Sequence, residues 1–446
     1  MEGKKKVLII GAGRSSSALI AYLCEQAEHA DWHITVADRD LSLAQERCAD
    51  MPQAEAVSFD ALDAGSRKTN LPGHDVVVSM LPARFHIEVV KDCLELGIPV
   101  ITPSYITPEI KALDEEAKKK GILILNEMGL DPGIDHMSAM RIIDRIQAQG
   151  AELTSFKSFT GGLIAPESDD NPWNYKFTWN PRNVVLAGQG GAVQFIRNGR
   201  YKYIPYHRLF SRTESIHIEG HGEFEGYANR DSLKYRSIYG LEDIPTIYRG
   251  TLRRKGFSAA WDVFVQLGMT DDTYTLEDSE QMTYRDFINT YLSYEVVTPV
   301  EQKLCDYLHL DRHGEIMKKL EWLGIFEQRQ IGLKKASPAQ ILQQLLEEKW
   351  KLRPEDKDMI AMYHYFEYVL NGEKKAIHSH MISIGKDQTF TGMSRTVGLP
   401  IGIAVKLMLE DRLELKGVHL PIMPELYDPI LDELETMDIV FHEYEG

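Results

Sequence analysis

The residues best placed to do chemistry stand in Asn126-Glu127-Met128-Gly129-Leu130-Asp131-Pro132-Gly133-Ile134-Asp135-His136. Carboxylates and an imidazole gather there, between an apolar run, Gly121-Ile122-Leu123-Ile124-Leu125, and a helical pattern through Met137, Met140, Ile142, Ile143 and Ile146. In α/β proteins a strand end that turns into a helix N-terminus is where ligands bind. An ionised Asp131 at such a place can hold a protonated amine or pass its proton on by way of water. The competing reading makes Asp131 a helix cap, with Pro132 at the first helical position, where its missing N–H costs nothing. His136 reads either as a packed histidine or as a proton carrier beside a cofactor.

A second group is Gly11-Ala12-Gly13-Arg14-Ser15-Ser16, which follows the apolar run Lys6-Val7-Leu8-Ile9-Ile10 and precedes an apolar helix through Ala18, Leu19, Ile20, Tyr22 and Leu23. This is a dinucleotide fingerprint in which Ser16 replaces the third glycine. The glycines let backbone approach a pyrophosphate, and the helix N-terminus receives it. Asp38 ends the second strand, 22 residues after Ser16, close to the ~20 expected of an acidic residue on a ribose hydroxyl. Asp38 repels a 2′-phosphate and so slightly favours NAD; Arg39 beside it can accept that phosphate, which leaves NADP open.

Arginine is the residue for bidentate carboxylate recognition. Arg230, in Asn229-Arg230-Asp231-Ser232, and Arg253, in Arg249-Gly250-Thr251-Leu252-Arg253, lie in a polar stretch. Pattern alone does not separate them from solvated surface arginines. Tyr105, in Pro103-Ser104-Tyr105, follows the strand Pro99-Val100-Ile101-Thr102 on the edge that faces a ligand crevice in such folds, or is simply a half-buried loop residue.

The elements that would position these residues alternate regularly. Strands at 6–10, 33–37, 56–59, 75–79, 99–102 and 121–125 are separated by helical patterns, including Leu41 to Cys48 and Ile87 to Leu96. That alternation predicts a parallel sheet with helices on both faces. From about Glu152 the strands become aromatic and polar and the loops longer, as in a mixed α/β domain. Tyr284 to Lys351 is helical in pattern. Met359 to Leu370 and Lys375 to Ile384 flank Asn371-Gly372, a strong hairpin signal. A last amphipathic helix covers about 394 to 410. The expected division is a Rossmann domain over 1–130 with a returning segment 391–446, a mixed α/β domain over 131–268 and 358–390, and a helical insertion over 269–357.

The totals narrow the classes. A chain of 446 residues suits roughly three domains. A formal charge of −17 disfavours nucleic acid and anionic membranes as partners. No apolar run approaches membrane-spanning length, and the basic N-terminus leads straight into a strand without the pattern of a signal peptide. Cys24, Cys48, Cys93 and Cys305 lack metal-type spacing. A cytoplasmic protein without a disulfide framework or metal is expected. The runs Lys4–Lys6 and Lys118–Lys120 read as solvated ends.

The motif Glu127 to His136 resembles the central motif of the glutamate-forming saccharopine dehydrogenases, the saccharopine reductases. So do Gly161-Gly162-Leu163-Ile164-Ala165-Pro166-Glu167, Asn171-Pro172-Trp173-Asn174-Tyr175-Lys176-Phe177, Asn229 to Ser232, Arg249 to Arg253, and Arg395-Thr396-Val397-Gly398-Leu399-Pro400. These matches come in order and cover most of the chain. The resemblance implies a Rossmann domain, a mixed α/β substrate and dimer domain with a helical insertion, and a final helix returning to the first. It implies that Ser104, Tyr105 and Asp131 contact substrate near the nicotinamide, with Asp131 and Tyr105 as catalytic candidates. It also implies that Arg230 and the run Thr251, Leu252 and Arg253 hold substrate carboxylates. The cofactor, NAD or NADP, would lie along Gly11, Gly13, Arg14, Ser15, Ser16, Asp38, Arg39, Asp60, Ser79 and Pro132. Two departures stand out: Thr160 occupies the place of a Cys before the Gly-Gly pair, and Asp38 precedes the basic residue usual after strand two.

The activity so implied is an NAD(P)-dependent oxidation at the CH–NH bond of saccharopine, interconverting it with glutamate and aminoadipate semialdehyde, by a homodimer that takes a small amino-acid substrate. Two alternatives remain at this level: a relative acting on a polyamine adduct such as carboxynorspermidine, and a catalytically idle NAD(P)-binding sensor. Arg253 argues against the polyamine, which calls for acidic lining.

Overall fold

The structure, a computed structural model, describes residues 4–446; Met1, Glu2 and Gly3, part of the basic N-terminus read above, lie outside the described residues. The first half alternates as β1 (Lys5–Ile10), α1 (Ser17–His29), β2 (Trp32–Asp38), α2 (Leu41–Cys48), β3 (Ala54–Ser58), α3 (Ala64–Asn70), β4 (Val76–Ser79), α4 (His86–Leu96), β5 (Val100–Ile101), α5 (Pro108–Lys111), α6 (Asp114–Lys120), β6 (Leu123–Leu125) and α7 (Ile134–Ala148). The central strands are continuous apolar runs because both their faces are covered: Val7, Leu8, Ile9 and Val76 to Val78 have no exposed surface.

Next come β7 (Glu152–Ile164), α8 (Pro181–Val185), β8 (Val193–Arg197), β9 (Arg200–Ile204), β10 (Thr213–Ile218), β11 (Gly222–Ala228), α9 (Tyr235–Ile238), β12 (Ile247–Arg254) and α10 (Phe257–Leu267). Four helices follow, α11 (Tyr284–Asn289), α12 (Val300–Leu308), α13 (Glu315–Leu323) and α14 (Pro338–Lys349), then β13 (Asp358–Leu370) and β14 (Glu373–Ile384). The chain ends through α15 (Gly392–Leu409), β15 (Gly417–His419), α16 (Pro424–Glu435) and β16 (His442–Glu445).

The first sheet has seven strands in the order β15-β6-β5-β4-β1-β2-β3. All its pairs are parallel. Strand order reverses between β1 and β4, so the carboxyl ends of those two strands border the crevice where such sheets bind ligands. The returning C-terminal segment supplies more than a helix. α15 packs along α1 and α16 along α7, and β15 adds the seventh strand beside β6. Three-residue strands of this kind carry too little periodicity to stand out in sequence.

The second sheet runs β10-β11-β12-β7-β13-β14-β16, with β8 and β9 attached at β12. The Asn371-Gly372 turn joins β13 to β14 with positive φ at both residues, 54° and 84°, the geometry of a two-residue hairpin. Aromatic residues fill one core: Trp173, Tyr175, Phe257, Phe264 and Trp350 meet ring to ring at 5.0–6.0 Å. Contacts of this kind contribute about 0.5–1.5 kcal/mol each beyond their buried area.

Two compact units emerge: one runs to Leu153 with Tyr368–Lys375 and Met381–Tyr444, the other comprises Thr154–Glu367, Ala376–His380 and the last two residues. The division falls after Leu153 rather than after 130, because α7 packs on α16 in the first unit. Among the described residues one helix, Gly392–Leu409, has the length and apolar composition to cross a membrane, and 72% of its apolar window is buried within the protein. It behaves as a core helix. All four cysteines are free thiols, and the Lys118–Lys120 run pairs with Asp114, Glu115 and Glu116 on its own helix.

Candidate active site and nucleotide cradle

The Gly-rich turn leaves β1 with Gly11 at φ +108°, a conformation that side chains other than hydrogen rarely adopt. A Cβ there would press on Met80 at 3.2 Å, whereas a Cβ on Gly13 would meet nothing within 4 Å. Ser16 is buried; its Oγ donates to the Gly13 carbonyl at 2.8 Å and ties the turn closed. Among the described residues, the N–H groups of Gly13, Arg14 and Ser15 find no acceptor in the chain. Open space over Gly13 and free amides at the start of a thirteen-residue helix fit a pyrophosphate.

Asp38 is placed differently from its expected role. Its Oδ2 accepts the Ala12 N–H at 2.8 Å and its Oδ1 accepts the Asp40 N–H at 2.9 Å. Both oxygens are thus engaged in holding the turn, and Arg14 and Arg39 stand exposed on either side of it in the chain. These two bonds take up half of the acceptor capacity of the carboxylate. Asp60, after β3, accepts the Leu62 N–H at 2.9 Å and is pinned through its own N–H to Ser66 Oγ at 3.1 Å. Ser79, the last residue of β4, is fully buried and 2.8 Å from His86 Nδ1.

At the hinge after β6 the capping expectation fails. α7 begins at Ile134 with Gly133 as its N-cap, and the carboxylate beside that terminus is Asp135, whose Oδ1 accepts the Gly133 N–H at 2.6 Å. Gly133 has φ +148°, and a Cβ there would lie 2.0 Å from Gly129 O, so only glycine fits this turn. Pro132 follows a cis peptide bond and sits before the helix. Asp131 is left half-buried, with its Oδ1 accepting the Tyr105 hydroxyl at 3.0 Å. Two residues distant in sequence, both expected near substrate, are therefore in contact.

Glu127 holds that contact in place, a role the sequence reading missed. Fully buried at φ +59°, it donates its N–H to Ser104 O at 3.1 Å and accepts the Ile106 N–H on Oε1 at 3.0 Å. It so grips the Ser104-Tyr105-Ile106 segment at both ends. Its Oε2 is 2.7 Å from His136 Nε2. His136 has no exposed surface, which favours the packed histidine over the proton carrier. His86 was missed as well. Sequence offers no sign of either role: both depend on residues brought together across strands.

In the second unit, Arg253 near the end of β12 is 4% exposed. Its guanidinium lies over Tyr175, Phe257 and Tyr227 at 5.0, 5.3 and 5.9 Å. It donates to the Leu252 carbonyl at 2.8 Å, and its Nε has no partner. The Tyr175 hydroxyl is likewise buried without a hydrogen-bond partner in the geometry; burial raises its pKa and the Arg253 charge acts against that rise. Thr251 is half-buried, in register with Thr160 on β7, whose own Oγ1 is buried and unpartnered. Leu252 is fully buried and faces the other side of the strand. Arg230 has φ +41° in a loop stitched on both flanks: its carbonyl accepts the Gln194 N–H at 3.1 Å, and Ser232 Oγ accepts the Arg249 N–H at 2.9 Å.

A doubly wound parallel sheet with a Gly-rich cradle at its switch point, joined to a second unit carrying buried arginine, defines an NAD(P)-dependent oxidoreductase acting on a small molecule. Residues 7–125 match the family described as the saccharopine dehydrogenase NADP binding domain, and residues 129–439 match the saccharopine dehydrogenase C-terminal domain. The chain belongs to the saccharopine dehydrogenase family. It is 33% identical over 439 residues to saccharopine dehydrogenase [NADP(+), L-glutamate-forming] of Saccharomyces cerevisiae, covering 97% of each chain. It is also 33% identical to the mitochondrial alpha-aminoadipic semialdehyde synthase of mouse, where the alignment takes in 99% of this chain but 48% of that longer protein. The solved apo saccharopine dehydrogenase (L-Glu forming) from S. cerevisiae superposes with a TM-score of 0.89 at 31% identity, covering 99% of this chain and all of that one.

Proposed function

We propose that this enzyme interconverts saccharopine with L-glutamate and aminoadipate semialdehyde in lysine metabolism, and that it uses NADP. The observation that carries the substrate reading is Arg253: a buried cation in a cage of rings, making no ion pair among the described residues. A buried charge is costly unless a counter-charge arrives, and a substrate rich in carboxylates supplies one. Arg230 and Thr251 complete this carboxylate-binding group, as the family resemblance implies; Leu252, fully buried on the other face of the strand, does not line it.

A bound nicotinamide would supply the hydride acceptor for the lysine-derived carbon beside the secondary amine; addition of water to the imine would then release glutamate with the nitrogen. The work of the chain is to hold protons and charges around that nitrogen. Asp131 faces the amine as a carboxylate, with the Tyr105 hydroxyl donating to its Oδ1; together they are the candidates to take the amine proton and to activate water. Ser104, gripped through its carbonyl by Glu127, contacts the same end of the substrate. Gly11, Gly13, Arg14, Ser15 and Ser16 cradle the pyrophosphate, Asp60 and Pro132 border the remaining cofactor, and Arg39 accepts the 2′-phosphate; Ser79, with no exposed surface, is not among the residues the cofactor touches. The NADP choice, against the slight preference for NAD drawn from Asp38, is supported by the NADP named for the matched domain and for the yeast relative.

We place this activity in the cytoplasm, in a homodimer built on the mixed α/β part of the chain with 269–357 as a helical insertion; light scattering on the purified protein tests the dimer. The test of the reaction is nicotinamide absorbance with saccharopine and each cofactor in turn. Turnover with NADP well above that with NAD is expected. No turnover of saccharopine overturns the reading, and equal or better use of NAD overturns the cofactor assignment alone.

A further inference from the structure

His86 opens α4 and is 1% exposed. Its ring stands among three hydroxyls from the carboxyl ends of β4 and β5. Ser79 Oγ is 2.8 Å from Nδ1, and Ser104 Oγ is 2.7 Å from Nε2. Thr102 Oγ1 flanks both nitrogens, at 3.3 and 3.0 Å, and accepts the Ser104 N–H at 3.3 Å. Burial pushes the His86 pKa down to about 4, and the helix N-terminus on which it sits acts in the same direction. The ring is therefore uncharged at neutral pH, with one N–H and one bare nitrogen.

If Nδ1–H donates to Ser79, which has no exposed surface, the ring is anchored from behind and Nε2 is bare. The Ser104 hydroxyl, 2.7 Å from Nε2 and nearer to it than Thr102 at 3.0 Å, then donates to it and turns lone pairs outward. Ser104 is half-buried, and the substrate presents an N–H to it. We propose that His86 is a positioning residue that, held by buried Ser79, makes Ser104 an acceptor toward the substrate nitrogen. This rests on the assignment of Ser104 given above.

A double-mutant cycle tests it: His86→Leu is combined with Ser104→Ala and kcat/KM for saccharopine is read, beside the Kd of NADPH by fluorescence, with no turnover involved. Circular dichroism and a thermal melt verify folding. His86→Gln, which keeps a donor and an acceptor in one planar group, is run beside them and also covers the case in which the leucine variant fails to fold. Each single change is expected to cost about tenfold in kcat/KM, and the double variant little more than either single, as for residues in one hydrogen-bond network; the NADPH Kd is expected to stay unaltered throughout. His86→Gln is expected to recover part of the loss. Losses that multiply overturn the positioning role and leave His86 a core residue, and a loss of NADPH affinity as large as the loss in kcat/KM does the same. A Ser104→Ala enzyme with unaltered kcat/KM overturns the assignment of Ser104, and with it the proposal. If the wild-type protein does not turn over saccharopine, the functional reading itself falls.

Discussion

The candidate ligand-binding atoms of the first unit are mainly backbone, and those of the second are side chains. The cradle after β1 offers free amides and the empty space over Gly13; its side chains, Asp38 and Ser16, are occupied in shaping the turn. Around Arg253 the arrangement is inverted. There the backbone is engaged in the β11–β12–β7 pairing, and the unsatisfied atoms are Arg253 Nε, the Tyr175 hydroxyl and Thr160 Oγ1. A backbone site accepts whatever carries a phosphate, and so can serve many enzymes. A side-chain site is specific to its ligand, and its buried charge is stranded until that ligand comes.

The contrast is broken most severely at Arg253. Arg253→Ala removes one member of a buried charge-assisted pair with substrate, a loss of about 2–5 kcal/mol, or roughly thirtyfold or more in kcat/KM for saccharopine. NADPH affinity should stay within error. If kcat/KM is unchanged, the guanidinium is a packing element of the aromatic core and the second unit holds no side-chain site there. Arg230→Ala, measured in the same way, tells whether the carboxylate-binding group extends to that loop.

Asp131 comes next, which with Tyr105 is cast in a chemical part in the first unit. Since Gly133 and Asp135 form the start of α7, Asp131→Asn removes no cap and should leave the melting temperature unaltered. As the carboxylate beside the amine, it should cost at least ~10-fold in kcat/KM, the low end for acid–base groups, with cofactor Kd preserved. Near-normal turnover would reduce the Tyr105–Asp131 contact to a structural one.

The same contrast explains what could be read from sequence. The Gly11–Ser16 turn, the alternating strands, the helical block before Met359 and the Asn371-Gly372 hairpin all rest on local rules of spacing and turn chemistry, and they are where the reading put them. Tyr105 and Asp131, named separately, come together in space. The rest depends on long-range company. Asp38 obeys the fingerprint spacing, but its partners, Ala12 and Asp40, make it a brace. The helix start at Asp131-Pro132 was the wrong one because Gly133 accommodates a turn two residues longer. Glu127 and Tyr175 stood inside quoted motifs without any mark, and His86 outside them all; each is defined by partners from other strands.

The smallest effects test the contrast at two glycines. Gly13 faces open space, so the chain itself tolerates a methyl group there. Gly13→Ala should leave thermal stability nearly unaltered, while the methyl intrudes on the pyrophosphate; a loss of about 1 kcal/mol, near fivefold in NADPH Kd, is expected. Gly250 on β12 faces the Phe159 ring, where an added Cβ would lie 2.6 Å from Cδ1 and 2.8 Å from Tyr227 O. Gly250→Ala overpacks a finished interior, with a cost of about 1–3 kcal/mol in folding stability and no effect on NADPH Kd. Melting curves and cofactor titrations on both variants give a crossed pattern if backbone space is for ligand in one unit and for packing in the other. Should Gly13→Ala lower the melting point while its Kd is preserved, the space over Gly13 is not the cofactor's, and the backbone cradle is only a turn.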